Sequence, residues 1–195
     1  MIRSVISPRF LSAVMSPPKI YVAVVGVGLV GSDLVDQILA IPSPFSLISL
    51  SSSSRTIFNS ANPFTPGSEW KSQLKASPEK PDLGVLTDKL AGLVSPSQRV
   101  ALVDNTSSDH VAALYPAWLG KGINVVTPNK KAYSGDLGLY ESILTASRAS
   151  GARYLNEATV GAGLPVISTL KELVATGDKV SLQATLSIVS SNPPG

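Results

Sequence analysis

The stretch Gly26-Val27-Gly28-Leu29-Val30-Gly31 fits the pattern G-x-G-x-x-G. An apolar run at residues 20–25 enters it, and residues 31–40 leave it with Leu34, Val35, Ile38 and Leu39 on one helical face. In that setting the chemistry is capture of a dinucleotide's diphosphate. The first glycine permits a tight turn, the second lets the backbone approach the phosphates, and the third lets the helix pack close to the sheet. The helix N-terminus then faces the anion. A glycine turn serving packing alone is the competing account; the agreement of strand, motif and helix favours the dinucleotide. The second apolar run ends in Leu50-Ser51-Ser52-Ser53-Ser54-Arg55, at the place where a carboxylate normally takes the ribose 2′-hydroxyl and repels a 2′-phosphate. Serine hydroxyls and a guanidinium suit that phosphate instead. The expected coenzyme is NADP, with NAD as the alternative; a solvated serine-rich loop is the account without a ligand.

Three further strand ends carry polar groups where open parallel sheets bind ligands. Asp104-Asn105-Thr106-Ser107-Ser108 offers hydroxyl and amide groups to a nicotinamide ribose, or an N-cap to a helix through Ala112 and Ala113. Thr127-Pro128-Asn129-Lys130 sets a cation on a loop stiffened by proline, where it either polarises a carbonyl or holds a carboxylate, or is solvated surface. Glu157 opens a glycine-rich turn whose backbone oxygens can converge on a hard cation; the plainer account is a turn with Pro165 at a helix start. The only histidine, His110, follows a capping position and reads as a solvated helix residue. Trp70 and Trp118 lie in helical stretches and read as packing anchors.

These groups need a scaffold that delivers strand ends to one edge. Short apolar runs at 20–25, 47–50, 100–103, 123–126 and 153–155 alternate with helical stretches, the pattern of a parallel sheet covered on both faces. The fold class is α/β, a Rossmann-like doubly wound parallel sheet. Helical pieces are expected near 69–75, 87–93 and 164–175, and residues 180–189 read as strand-like. A chain of 195 residues with 44% hydrophobic and 15% charged residues has the apolar material for a core. Its net charge of +3 is too small and scattered for a nucleic-acid surface, and no apolar run reaches the roughly 18 residues of a membrane span. The absence of cysteine excludes a disulfide scaffold, a thiolate metal site and a phosphorylating semialdehyde dehydrogenase, which needs a thiol nucleophile. Arg3, Arg9 and Lys19 precede the first acidic residue, Asp33, giving a weak mitochondrial-type N-terminus. A start at Met15 is the simpler account, and a cytoplasmic protein is expected.

Taken together, these blocks resemble homoserine dehydrogenase, and the match is close to its fungal form. The resemblance is carried by residues 22–40, 103–108, 127–132 and 157–165, continues through Thr176-Gly177-Asp178, and spans roughly 19–180. It implies reversible, nicotinamide-dependent interconversion of L-homoserine and aspartate 4-semialdehyde, on the way to threonine, isoleucine and methionine. It also implies an N-terminal extension at 1–18, an NAD(P)-binding domain at 19–155, and at 156–195 the beginning of an incomplete α+β substrate and dimerisation domain. Gly26, Val27, Gly28, Leu29, Val30, Gly31, Arg55, Asn105, Thr106, Ser107 and Lys130 then correspond to coenzyme contacts, with Lys130 near the nicotinamide and the reacting carbon. Glu157, with the carbonyls of Val160, Ala162 and Leu164, corresponds to a monovalent cation site, expected to hold sodium. The family's proton-transfer lysine and substrate-holding acids fall beyond residue 195. No catalytic residue is therefore named, and the homodimer of the family is doubtful for this fragment. The contrasting expectation is a non-catalytic NADP-binding module that pairs with full-length subunits.

Overall fold

A computed structural model of the chain describes residues 19–177. In chain order the elements are β1 (Lys19–Val25), α1 (Leu29–Ala40), β2 (Phe45–Ser51), β3 (Thr56–Phe58), α2 (Trp70–Ala76), α3 (Leu83–Ala91), β4 (Gln98–Asp104), α4 (Asp109–Ala112), α5 (Tyr115–Gly120), β5 (Asn124–Val126), α6 (Lys131–Ser134), α7 (Leu137–Ser150) and β6 (Tyr154–Leu155). A 3₁₀ turn (Glu157–Thr159) and α8 (Val166–Ala175) follow. The sheet order is β3-β2-β1-β4-β5-β6, parallel except for the β2–β3 pair. The chain therefore reverses its direction of travel between β1 and β4, the switch point at which such sheets open a crevice.

Continuous apolar strands work here because each face of the sheet has its own core. Tyr21, Ala23 and Val25 of β1 pack with Val100 and Leu102 against Tyr115, Trp118, Leu119 and Ile143 on one face. Val22 and Val24 pack with Leu47 and Leu50 against Val35, Leu39, Trp70 and Leu74 on the other. The period-2 alternation of a strand sends successive side chains to opposite layers, and both layers are helical. Both tryptophans are buried anchors: the indole N–H of Trp118 donates to Thr87 Oγ1 at 2.6 Å, and that of Trp70 to Asp36 Oδ1 at 2.7 Å.

Two details differ from the expectation. The helix expected at 87–93 begins earlier, at Leu83, because the Asp82 side chain accepts from Val85 N–H at 2.9 Å and starts it in a stretch that glycine and proline made look like loop. The antiparallel strand β3 was not foreseen. Its Thr56 donates its N–H to Glu79 O at 3.0 Å and accepts from Ser77 Oγ at 2.6 Å, so a loop covers the outer edge of the strand. The strand-like stretch at 180–189 lies outside the described residues. No residue of α8 is buried, and Leu164, Leu170, Leu173 and Val174 are exposed. Among the described residues no helix is long and apolar enough to cross a membrane.

Candidate coenzyme site

The chain leaves β1 and turns at Gly26, whose φ of +88° lies in the left-handed region. Gly26 N–H donates to Ser51 O at 2.8 Å, and Asn105 N–H donates to Val25 O at 2.8 Å, so the ends of β1, β2 and β4 are stitched around the loop. A Cβ on Gly31 would lie 2.0 Å from Gly26 O: the first turn of α1 rests directly on the loop. Gly28, at the N-cap of α1, has no atom of the described residues, its chain neighbours aside, within 4 Å of the place a Cβ would occupy. The space before the helix N-terminus is open, and the unpaired amides of that turn face it.

That space belongs to a cleft of about 940 Å³, a size suited to a cofactor. Gly26, Val27 and Gly28 line it together with Ser51–Ser53 from the end of β2 and Asn105, Thr106 and Ser107 from the end of β4. The Asn105 amide nitrogen is buried and has no hydrogen-bond partner among the described residues; it lies beside Gly31, 3.4 Å from where a Cβ there would stand. Leu29 and Val30 of the motif point away, 90% and 63% exposed, and Gly31 sits behind the loop. His110 is exposed as expected, but its exposed side is part of the cleft wall. Its position after the Ser108 cap was the available signal, because a strand-end cap in this fold stands beside the ligand.

Arg55 faces a neighbouring hollow of about 490 Å³, shared with Ser52, Ser54, Lys71 and Lys75 and adjoining Val27. Its Nη1 donates to Ser77 O at 2.7 Å, which fixes the guanidinium in place. Lys71 is paired with Asp36 at 3.0 Å. The Trp70 indole N–H and then the Lys71 ammonium hold the Asp36 carboxyl below the usual carboxylate range. The two lysines come from α2 and were not singled out from the sequence.

Lys130 lies outside the main cleft, in a hollow of about 760 Å³ with Tyr133, Tyr140 and Lys171. Tyr133 stacks on Tyr154 with ring centroids 6.3 Å apart and meets Tyr140 at 5.1 Å. Burial pushes the Tyr133 hydroxyl up to about 12, and the neighbouring Tyr140 adds to the shift. The folded state thus retains the proton more firmly than the unfolded chain, whose tyrosine titrates near 10. This share of stability is complete below pH 10 and disappears as the pH rises through about 12. Urea melts across that window are expected to fall less steeply for Tyr133→Phe than for wild type. An identical decline would show that Tyr133 titrates as it does in the unfolded chain.

Glu157 takes two amides of α8: Oε1 accepts from Ile167 N–H at 2.8 Å and Oε2 from Ser168 N–H at 3.0 Å. The carboxylate caps a helix whose own N-cap residue, Pro165, has no side-chain donor or acceptor to offer. Between them the chain passes through left-handed backbone at Gly161 and Ala162, with φ of +76° and +51°. The carbonyls of Val160 and Ala162 accept no hydrogen bond among the described residues, whereas Leu164 O accepts from Val166 N–H at 2.9 Å. No group of three or more His, Cys, Asp or Glu gathers among the described residues.

Comparison with known proteins agrees with this geometry. A family profile, the homoserine dehydrogenase NAD-binding domain, matches residues 26–157. Homoserine dehydrogenase of Emericella nidulans is 47% identical over 172 residues, covering 86% of this chain and 46% of that protein. The enzyme of Saccharomyces cerevisiae is 42% identical over 169 residues, covering 85% and 46%. Among solved structures, a Candida auris protein of unknown function superposes with TM-score 0.70 at 37% identity, covering 82% of this chain and 44% of that one. A hyperthermophilic archaeal homoserine dehydrogenase in complex with NADPH superposes with TM-score 0.58 at 28% identity, covering 77% and 47%. The chain spans under half the length of the curated relatives it matches. The glycine loop, the doubly wound sheet and these matches together place the chain in the homoserine dehydrogenase family, as a carrier of that family's NAD-binding domain.

Proposed function

We propose that residues 19–155 hold NADP(H) as the coenzyme half of an enzyme interconverting L-homoserine and aspartate 4-semialdehyde in threonine and methionine synthesis. The observation that carries this is the open space at Gly28, framed by the helix N-terminus and continuous with the ends of β2 and β4. The diphosphate rests there on the backbone amides of residues 28–31. Asn105, Thr106 and Ser107, which line the cleft at the end of β4, contribute donors and acceptors to the nicotinamide ribose. When bound, the coenzyme supplies the hydride. The 2′-phosphate is held in the Arg55 hollow, where Lys71 and Lys75 add positive charge to a guanidinium already aimed by Ser77. Lys130, on the β5 loop, is assigned to the reacting end, although its hollow shares no lining residue with the main cleft.

The 156–195 segment begins the substrate and dimerisation domain, and the uncovered apolar side of α8 is the surface that domain would claim. A monovalent cation, sodium by the same proposal, fits the turn: among the described residues nothing donates to the carbonyls of Val160 and Ala162, and Glu157 Oε2 keeps a lone pair beyond the Ser168 amide, while Oε1 accepts from both Ile167 and Ser168. The chain alone is expected to bind coenzyme without oxidising homoserine.

Titration of the intact chain with NADPH and NADH, read by coenzyme fluorescence, tests the proposal. NADPH is expected to bind more tightly. Arg55→Ala is expected to weaken NADPH by about tenfold, the scale of one charged hydrogen bond, and to leave NADH unchanged. A preference for NADH in the wild type would overturn the NADP assignment, and turnover with L-homoserine would show that the catalytic groups lie within these residues.

A further inference from the structure

The end of β4 holds a carboxylate that no ligand contact explains. Asp104 is fully buried and is not part of the cleft wall. Among the described residues no cation pairs with it. Removing a carboxylate from water without a countercharge is unfavourable unless donors surround it, and here three do. Thr106 N–H donates to Oδ1 at 2.7 Å, Asn129 Nδ2 donates to Oδ2 at 3.0 Å, and the Tyr115 hydroxyl donates to Oδ2. The three donors come from the turn after β4, the loop after β5 and the start of α5.

A second set of bonds closes the joint. Thr127 Oγ1 donates to Asp104 O at 2.9 Å and accepts from Asn129 N–H at 2.8 Å, and Asn129 Nδ2 also reaches Ser108 O at 3.1 Å. Lys131 N–H donates to Asn129 Oδ1 at 3.1 Å, so both backbone neighbours of Lys130 belong to the network. The loop bearing Thr106 and Ser107 and the loop bearing Lys130 are thus bolted to one buried anion. Burial, followed by the Asp104 charge, raises the Tyr115 hydroxyl far above the ordinary tyrosine range, so it stays a donor.

We infer that Asp104 is a positioning residue, which touches no ligand and locks the β4 and β5 loops into a single platform for the nicotinamide half of the coenzyme. The sheet order explains why only that half is affected: β4 and β5 lie on one side of the switch point, and β2, with its serine turn, on the other. The inference rests on the coenzyme assignment above.

The test compares two ligands on the intact chain by calorimetry: NADPH, and adenosine 2′,5′-bisphosphate, which lacks the nicotinamide half. Asp104→Asn keeps the shape but replaces one accepting oxygen with an amide NH2, which cannot accept from the donors that face it. It is expected to weaken NADPH at least about tenfold and adenosine bisphosphate by less than about twofold, because the lost contacts serve one half of the site. Tyr115→Phe keeps the ring and removes one donor; a smaller loss with the same split is expected, and this variant decides the matter if Asp104→Asn does not fold. Equal losses for both ligands would reveal general loosening and overturn the inference, as would no loss for either. Wild type that binds neither ligand would defeat the coenzyme assignment and this inference with it. Wild type that binds both, with variants showing no split, would defeat the inference alone.

Discussion

Gly28→Ala is expected to leave the chain folded and to weaken NADPH binding by about 10- to 100-fold, the effect of about 1–3 kcal/mol of steric conflict. Gly31→Ala is expected to do the reverse and attack the fold itself. The difference follows from what a methyl group would meet. At Gly28 it meets no protein atom, and φ of −75° suits alanine, so the change in melting temperature is limited to the poorer capping preference of alanine, roughly 0.5–1 kcal/mol. The coenzyme's diphosphate is what the methyl would strike. At Gly31 the methyl carbon would stand 2.0 Å from Gly26 O and 3.0 Å from Gly26 C, far inside contact distance and against a backbone carbonyl that cannot swing away. The loss there should reach or exceed the ~3 kcal/mol upper end of ordinary overpacking. Thermal melts and an NADPH titration of both variants check the pair. Undiminished binding by Gly28→Ala would mean that the loop does not carry the diphosphate.

The second large effect is expected at Trp118. This side chain is fully buried, its ring lies 5.8 Å from Tyr115, and its N–H is satisfied by Thr87. Trp118→Ala should destabilise the chain by about 3–5 kcal/mol, lowering the melting temperature by roughly 6–20 °C. Trp118→Phe should lose less, because it refills most of the volume while leaving Thr87 a donor to Leu83 O at 2.6 Å. Melts of the two variants separate the packing contribution from the hydrogen bond; equal losses would place the weight on the indole N–H. Because α5 carries both Trp118 and Tyr115, a loosened core on this face also reaches the joint at Asp104.

The parts legible in the sequence are those specified by neighbours in the chain. Residues 20–25, 47–50 and 100–103 were visible as strands because both faces of the sheet are buried and every position but Ser49 is apolar. The motif at 26–31 and the polar residues at 105–107 were visible because each directly follows a strand, and the structure brings Gly26, Val27 and Gly28 of the motif to one cleft with Asn105, Thr106 and Ser107. The parts that were hidden depend on pairings between distant residues. Nothing local to Arg55 announces Ser77, 22 positions away, or the lysines of α2 beside it. Nothing local to Asp104 announces that Tyr115 and Asn129 surround its carboxylate. Strand β3 was hidden for a different reason: Thr56–Phe58 is half-buried and too short to show alternation. Helix α7 did leave a local trace, the Asp136 cap on Gly138 N–H and the left-handed Gly151 that ends it.

The covering of β3 bears on how this molecule meets copies of itself. An open outer strand would present free N–H and C=O groups to which another sheet could add, ribbon upon ribbon. At Thr56 those groups are already taken by Glu79 and Ser77, and the strand is only three residues long. Growth by sheet extension is blocked on that flank, so by that route another copy could meet only β6, the two-residue strand at the opposite edge of the sheet.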